Sequence, residues 1–247
     1  MMRSRGSAFL LLTAAFLCAV FVALGTWQVQ RMFWKHALIE RTQTRIHAAP
    51  MPAPAPAVWP AVQAQPHDFE YLHVQLQGEF VHAQESLVQA STTQGAGFWV
   101  VTPLRLADGT YVLVNRGFVP PERRDPARRG AASPQGPVTV SGLLRISEPV
   151  GGFLRKNDPA TQRWHSRDVP AIAAAHGLPA DQVAPYFVDA GAARVANGSP
   201  AKWPIGGLTV VHFADSHLVY ALTWYALAAM VLGAVFYIRR SAHNPAS

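Results

Sequence analysis

A single cysteine, Cys18, stands in 247 residues. An intramolecular disulfide is therefore excluded, and so is any metal site built from a cysteine cluster. Cys18 lies inside an apolar run, where the thiol reads as a packing residue. Charge is also scarce. Acidic residues number 14 against 21 Lys and Arg, which gives a net charge of +7. A basic chain can signal nucleic acid, but no nucleic-acid motif accompanies these cations. They gather beside apolar runs and in "PPERRDPARRG", residues 120–130, which reads as an exposed loop. No nucleic-acid partner is assigned. Signatures of catalysis are missing as well. There is no Gly-x-Ser-x-Gly, no Walker loop and no His-Glu-x-x-His, and "GAGFWV" at 95–100 is not a dinucleotide fingerprint. The expectation is a protein that is not an enzyme, with no catalytic residue.

What is present is two long uncharged runs, residues 8–27 and 218–238. Each has the roughly 20 residues that cross about 30 Å of hydrocarbon. Arg3 and Arg5 could open a signal peptide, but the first run is long and "VALGTWQVQR" is a poor cleavage site, so an uncleaved anchor is expected. Arg3, Arg5, Arg239 and Arg240 favour both termini in the cytoplasm. Arg31 and Lys35 weigh the other way. The expected organisation is a cytoplasmic N-terminus (1–7), a first span (8–27) and a juxtamembrane helical extension (28–47). A Pro/Ala-rich extended connector (48–66), a β-rich extracytoplasmic domain (67–217), a second span (218–238) and a cytoplasmic tail (239–247) follow.

Between the spans the signals are those of strands. Alternation marks "YLHVQLQGEF", residues 71–80. "GFWVVTPLRL" (97–106) and "TYVLVNRGFV" (110–119) flank an Asp-Gly pair, a hairpin signal. Residues 137–147, 184–191 and 207–213 are further strand candidates. "SRDVPAIAAAHGL", 166–178, predicts a short helix capped by Asp168, with Pro170 in its first turn and Gly177 after its end. The fold class is therefore a membrane protein of α+β type. Two transmembrane helices flank an antiparallel β-rich extracytoplasmic domain with one short helix. Closure into a barrel is favoured because it removes exposed edges.

Two places could carry chemistry. His217 stands at the start of the second run, with Tyr220 and Trp224 following at helical spacing. A neutral imidazole is a good axial ligand for iron, and an aromatic ladder could lie along a porphyrin. The same residues also make an ordinary interfacial anchor. Arg31 and Lys35, four apart past the first run, share one helix side and could meet anionic groups or lipid phosphates. Arg116, in "LVNRGFVP", reads either as an ion-paired arginine or as a contact for an anionic group.

"LGTWQVQRMFWKHALIE" (24–40), "VTPLRLADGTYVLVNRGFVP" (101–120) and "SHLVYALTWYALA" (216–228) together resemble the SURF1/Shy1 family, assembly factors of haem–copper cytochrome oxidase. The matching positions are Gly25, Trp27, Gln28, Arg31 and Lys35, then Thr102, Pro103, Gly109, Asn115, Arg116 and Gly117, and finally His217. Asp215 and Ser216 depart from the asparagines the family often carries before that histidine. The resemblance implies a factor that binds haem a transiently, as cargo, and assists its delivery or insertion into the oxidase catalytic subunit. It favours His217 as the axial ligand to haem iron; Tyr220, Trp224, Arg31, Lys35 and Arg116 are the candidate cofactor-binding residues read from the sequence beside it. His212 is the rival ligand. Implied partners are the catalytic subunit, membrane lipid and, as a further candidate, haem a synthase. Without a mitochondrial presequence the chain reads as a bacterial member in the cytoplasmic membrane, its central domain in the periplasm. The alternative is a haem-free chaperone that stabilises the oxidase core subunit.

Overall fold

The helical pattern that begins in the first apolar run does not stop where the membrane would. In the computed structural model, which describes residues 2–130, 133–149, 151, 155–192, 203–209 and 216–243, α1 is continuous over Met2–His47. At 1.5 Å per residue it is about 70 Å long, twice the hydrocarbon thickness. No proline interrupts it before Pro50. The chain divides into two compact units. One holds α1 up to Thr42 together with the C-terminal helix, and the other is Gln43–Val210.

In the second unit, the segment expected to be an extended connector is folded. It holds the short strand β1 (Met51–Pro52), a 3-10 turn, and the helices α2 (Trp59–Ala64) and α3 (Pro66–Phe69). Trp59 and Val62 are buried, and the Pro54 carbonyl accepts hydrogen bonds from Trp59 Nε1 (3.0 Å) and the Tyr186 hydroxyl (2.8 Å). The prolines set φ and open the short helices. The apolar residues between them then bury against the sheet.

Six more strands follow: β2 (His73–Phe80), β3 (Ser86–Thr92), β4 (Gly95–Leu106), β5 (Tyr111–Val119), β6 (Pro137–Ile146) and β7 (Val183–Ala190). The order is β1-β2-β6-β7-β5-β4-β3, and β2 also pairs with β4. That second pairing closes β2-β6-β7-β5-β4 into a five-stranded barrel, with β3 added outside on β4. The ladders are antiparallel except β5–β7 and β1–β2, which are parallel. The hairpin between β4 and β5 forms as the Asp-Gly pair predicts: Asp108 accepts from Thr110 N at 2.9 Å, and Gly109 takes φ +85°. A hydrogen bond from the Thr110 hydroxyl at 2.6 Å, and then the one from its N–H, hold the Asp108 carboxyl below its usual range.

Alternation sorts the core into two layers. Val74, Leu76, Leu104, Val112, Val114, Val140, Leu144, Tyr186 and Val188 fill the barrel. Val101, Leu113, Val183 and Phe187 face outward, onto Trp164 and the helix α4 (Val169–Ala175). Because β5 is covered on both faces, it reads as a continuous apolar run. Asp168 caps α4, accepting from Ala171 N, with Pro170 in the first turn. The strand expected at 207–213 is not formed over 207–209, and the rest lies outside the described residues.

The loop at 120–130 is exposed at most positions, as expected, but not at Arg129. It is shaped by two 3-10 turns, and Arg129 is 4% exposed. Its guanidinium grips the Glu85 carboxylate at 2.7 and 2.8 Å and donates to the Arg123 and Arg124 carbonyls.

Candidate haem-ligand site at the start of the second span

The last helix, α5 (His217–His243), opens on the boundary histidine. It and α1 are long and apolar enough to cross a membrane. They pack antiparallel along one stripe each. On α5 the buried and half-buried positions include 217, 221, 224, 228, 231 and 235; on α1 they include 14, 18, 21, 25, 28, 32 and 35. Both advance in steps of three and four, the heptad spacing of helices that pack side by side. Small residues set the approach. Ala221 and Ala228 are buried on α5, and opposite them is Gly25, where an added Cβ would fall 2.7 Å from Tyr225 Cε1. Thr26 Oγ1 and the Tyr225 hydroxyl lie 3.2 Å apart, within hydrogen-bonding range. One turn deeper, Phe21 stacks on Trp224 with ring centroids 5.8 Å apart.

At the outer end of this seam His217 Nδ1 meets Gln28 Oε1 at 2.8 Å. A carbonyl oxygen has no hydrogen, so Nδ1 is the donor. An imidazole that holds its proton on Nδ1 presents the Nε2 lone pair, the pair that can coordinate a metal. Among the described residues, no three of His, Cys, Asp and Glu gather to hold a bare metal ion. A lone imidazole is instead what iron already held in a macrocycle requires as an axial donor.

The other candidates are distributed as follows. Trp224 belongs to the seam and packs on α1, whereas Tyr220 is 55% exposed on the flank, beside exposed Leu218 and Val219. That flank offers apolar surface beside the imidazole. Arg31 and Lys35 lie three and seven residues beyond Gln28, on the same side of α1. The Arg31 guanidinium covers the Trp34 ring at 4.5 Å. Trp27 and Trp34 are both about half exposed, as interfacial residues are. His212 and Asp215 lie outside the described residues.

Arg116 belongs to the barrel unit. Its Nη1 is 3.9 Å from Glu85 Oε2 and 3.4 Å from His82 Nδ1, and its guanidinium lies 4.9 Å from the Phe80 ring centre. Burial pushes its pKa down, with Glu85 opposing. A second polar node joins Asn115, from the hairpin motif, to residues with no motif around them. Buried Asp189 accepts from Asn115 Nδ2 (2.7 Å), Thr209 Oγ1 (2.9 Å), Arg167 Nη1 (3.1 Å) and Arg145 Nη1 (3.2 Å). Burial opposes the charge on Arg167, but Asp189 and Glu148 outweigh it and raise its pKa.

Residues 15–229 match the SURF1 family. "Surfeit locus protein 1" of Homo sapiens is 36% identical over 225 residues, covering 83% of this chain and 69% of the human protein. The chain belongs to the SURF1 family. The rat protein of the same name is 32% identical over 243 residues, covering 92% of this chain and 74% of its own length. A SURF1-like protein of Monosiga brevicollis is 33% identical over 237 residues, with coverage of 91% and 85%. The span matched to the SURF1 family takes in Gln28, Arg31, Lys35, Arg116, His217, Tyr220 and Trp224. Of these, sequence reasoning gave Gln28 no role. Its place in "TWQVQR", one turn after the small residue of a heptad stripe, was the available signal.

Proposed function

We propose that this chain is a non-catalytic assembly factor for haem–copper cytochrome c oxidase that holds haem a as cargo and passes it to the catalytic subunit. Membership of the SURF1 family supports the assembly role. The observation that carries the haem reading is His217 at the membrane boundary, its Nδ1 committed to Gln28 at 2.8 Å. With Nδ1 so engaged, coordination would fall to Nε2, and exposed Leu218, Val219 and Tyr220 supply apolar surface for a macrocycle. Arg31 and Lys35 continue the Gln28 face of α1 outward, toward water, where the cargo's propionates would lie. Arg116 is a further candidate contact for an anionic group on the barrel. The partners are the oxidase catalytic subunit, haem a synthase and membrane lipid. The membrane is a bacterial cytoplasmic membrane, with the barrel in the periplasm.

The test is His217→Ala, expressed in cells that make haem a. The substitution sits at the edge of the span and removes none of its apolar length, so insertion is expected to survive. Haem per protein, read by absorbance and extraction, is expected to fall by most of its value. His212→Ala is expected to lower it less. Haem content equal to the parent in His217→Ala would overturn the ligand assignment and move the function to a haem-free chaperone of the core subunit.

A further inference from the structure

We infer that Arg116, with Glu85 and Arg129 behind it, forms a site for one carboxylate group at the end of the barrel. The inference rests on the reading of Arg116 as an anion contact and sharpens it; it does not depend on the haem reading of His217.

Charge counting comes first. Two guanidiniums share one carboxylate. The Glu85 oxygens take Arg129 at 2.7 and 2.8 Å, and Arg116 Nη1 stands 3.9 Å off. All three side chains are largely buried, with Arg129 3% exposed, Arg116 11% and Glu85 12%. The group therefore carries one positive charge more than it balances, at a depth where an unbalanced charge is costly. Burial accordingly lowers the Arg116 pKa, while Glu85 raises it and Arg129 lowers it further.

Hydrogen bonding points the same way. A guanidinium has five N–H groups. His82 Nε2 lies 2.8 Å from the Pro134 carbonyl, which can only accept, so in the neutral ring Nδ1 is the acceptor and takes Arg116 Nη1 at 3.4 Å. Among the described residues, no acceptor lies within hydrogen-bonding distance of Arg116 Nε or Nη2. Those two atoms form the side edge of the guanidinium, the edge a carboxylate engages with both oxygens. The Phe80 ring covers one face of the group at 4.9 Å, which leaves approach in the plane.

The backbone holds that edge in place. Arg116 follows Val112 and Val114 on the barrel face of β5. Asn115 Oδ1 accepts from Gly117 N at 3.1 Å, and Gly117, at φ +130°, admits the Ile205 carbonyl where a Cβ would collide with it. Ile205 and Phe118 exchange both backbone hydrogen bonds. A donor fixed in this way loses little freedom on binding. One excess charge selects a monoanion. A carboxylate neutralises the group, whereas dianionic phosphate leaves a negative remainder.

The test uses the whole protein in detergent, with nitrogen-15 in its arginine side chains. The Arg116 Nε–H signal is identified by its loss in Arg116→Lys. Acetate, titrated against chloride at constant ionic strength, is expected to shift that signal saturably, and dianionic phosphate at the same concentration to shift it less. Acetate is also expected to raise the unfolding midpoint of the parent and not of Arg116→Met. In Arg129→Met the excess charge is gone and Glu85 is released to Arg116, so acetate affinity is expected to fall about tenfold with Arg116 itself untouched. No saturable shift with acetate, a larger shift with phosphate, equal midpoint responses in the parent and Arg116→Met, or full affinity in Arg129→Met would each overturn the inference. The source of the carboxylate is read in cells that make haem a. Less haem per protein in Arg116→Met assigns it to a propionate of the cargo. Haem equal to the parent with less assembled oxidase assigns it to an acidic side chain of the oxidase. No loss of either would overturn the site's service to a ligand. Unchanged haem in His217→Ala defeats the ligand reading of that histidine and leaves the acetate titration as it stands.

Discussion

Arg129 is accommodated at 4% exposure because Glu85 offers both carboxylate oxygens and two loop carbonyls accept from its other N–H groups. Arg116 leans on the same carboxylate at 3.9 Å. Removing Glu85 therefore strands two cations, while removing Arg129 strands one anion that still has Arg116. Glu85→Ala is expected to destabilise the protein by about 3–5 kcal/mol, the usual cost of breaking a buried pair from one side. Arg129→Met, which refills the volume, is expected to cost less; the midpoints of chemical denaturation check the order. His176 makes a second prediction at this scale. Its Nε2 lies 2.8 Å from Ser86 Oγ, and burial lowers its pKa below the ordinary value. The folded state thus binds this proton less readily than the unfolded chain. The contribution is fully present above the unfolded pKa of about 6.5 and is lost progressively as pH falls toward the folded value. Unfolding free energy measured across that window is expected to drop with acid in the parent, and to drop less in His176→Gln.

On the proposed reading the α1–α5 seam ties packing to function, since His217 reaches Gln28 only if the helices stay close. Gly25→Leu is expected to push Tyr225 aside, break the Thr26–Tyr225 contact and lower haem content, although His217 is untouched. Adding Tyr225→Ala is expected to restore part of it by returning the volume. Haem per protein in the single and double variants checks this, and no recovery in the double variant would mean Gly25 acts otherwise. The elements also divide by how well the sequence declared them. The β4–β5 hairpin and the cap of α4 were legible because Asp108-Gly109 and Asp168-x-Pro170 are local chemistry. Strand β3, "SLVQAST", was not. Its buried face is Ser86, Val88 and half-buried Ala90, too polar to show alternation. Segment 48–66 was misread because prolines hide the burial of Trp59 and Val62, which only the barrel reveals. The site was half legible. His217 stood out at a charge-free boundary, whereas Gln28 gains meaning only when two helices 189 residues apart in sequence are laid together.

For the whole molecule, the folded mass of Gln43–Val210 is threaded between two spans, so both ends of the chain must lie on one side of the bilayer. The basic residues at the two ends bear on which. Arg3 and Arg5 precede the first span, and Arg239 and Arg240 follow the second. Arg31 and Lys35, with Arg41 and Arg45 further along α1, oppose them; Arg31 lies over Trp34 at 4.5 Å, and Arg31 and Lys35 share the face of Gln28. The basic pairs at the two ends of the chain favour cytoplasmic termini and an extracytoplasmic barrel. The single cysteine makes the test clean. In a Cys18→Ala background, Gln94→Cys places one thiol in the exposed turn between β3 and β4, and Ser4→Cys places one before the first span. A membrane-impermeant maleimide added to cells whose cytoplasmic membrane is intact is expected to label the first and spare the second until detergent is added. The reverse pattern would put the barrel in the cytoplasm. It would also carry the outer end of the α1–α5 seam, with His217 and Gln28, to the opposite membrane face, so the same labelling decides from which side of the bilayer a haem would have to arrive.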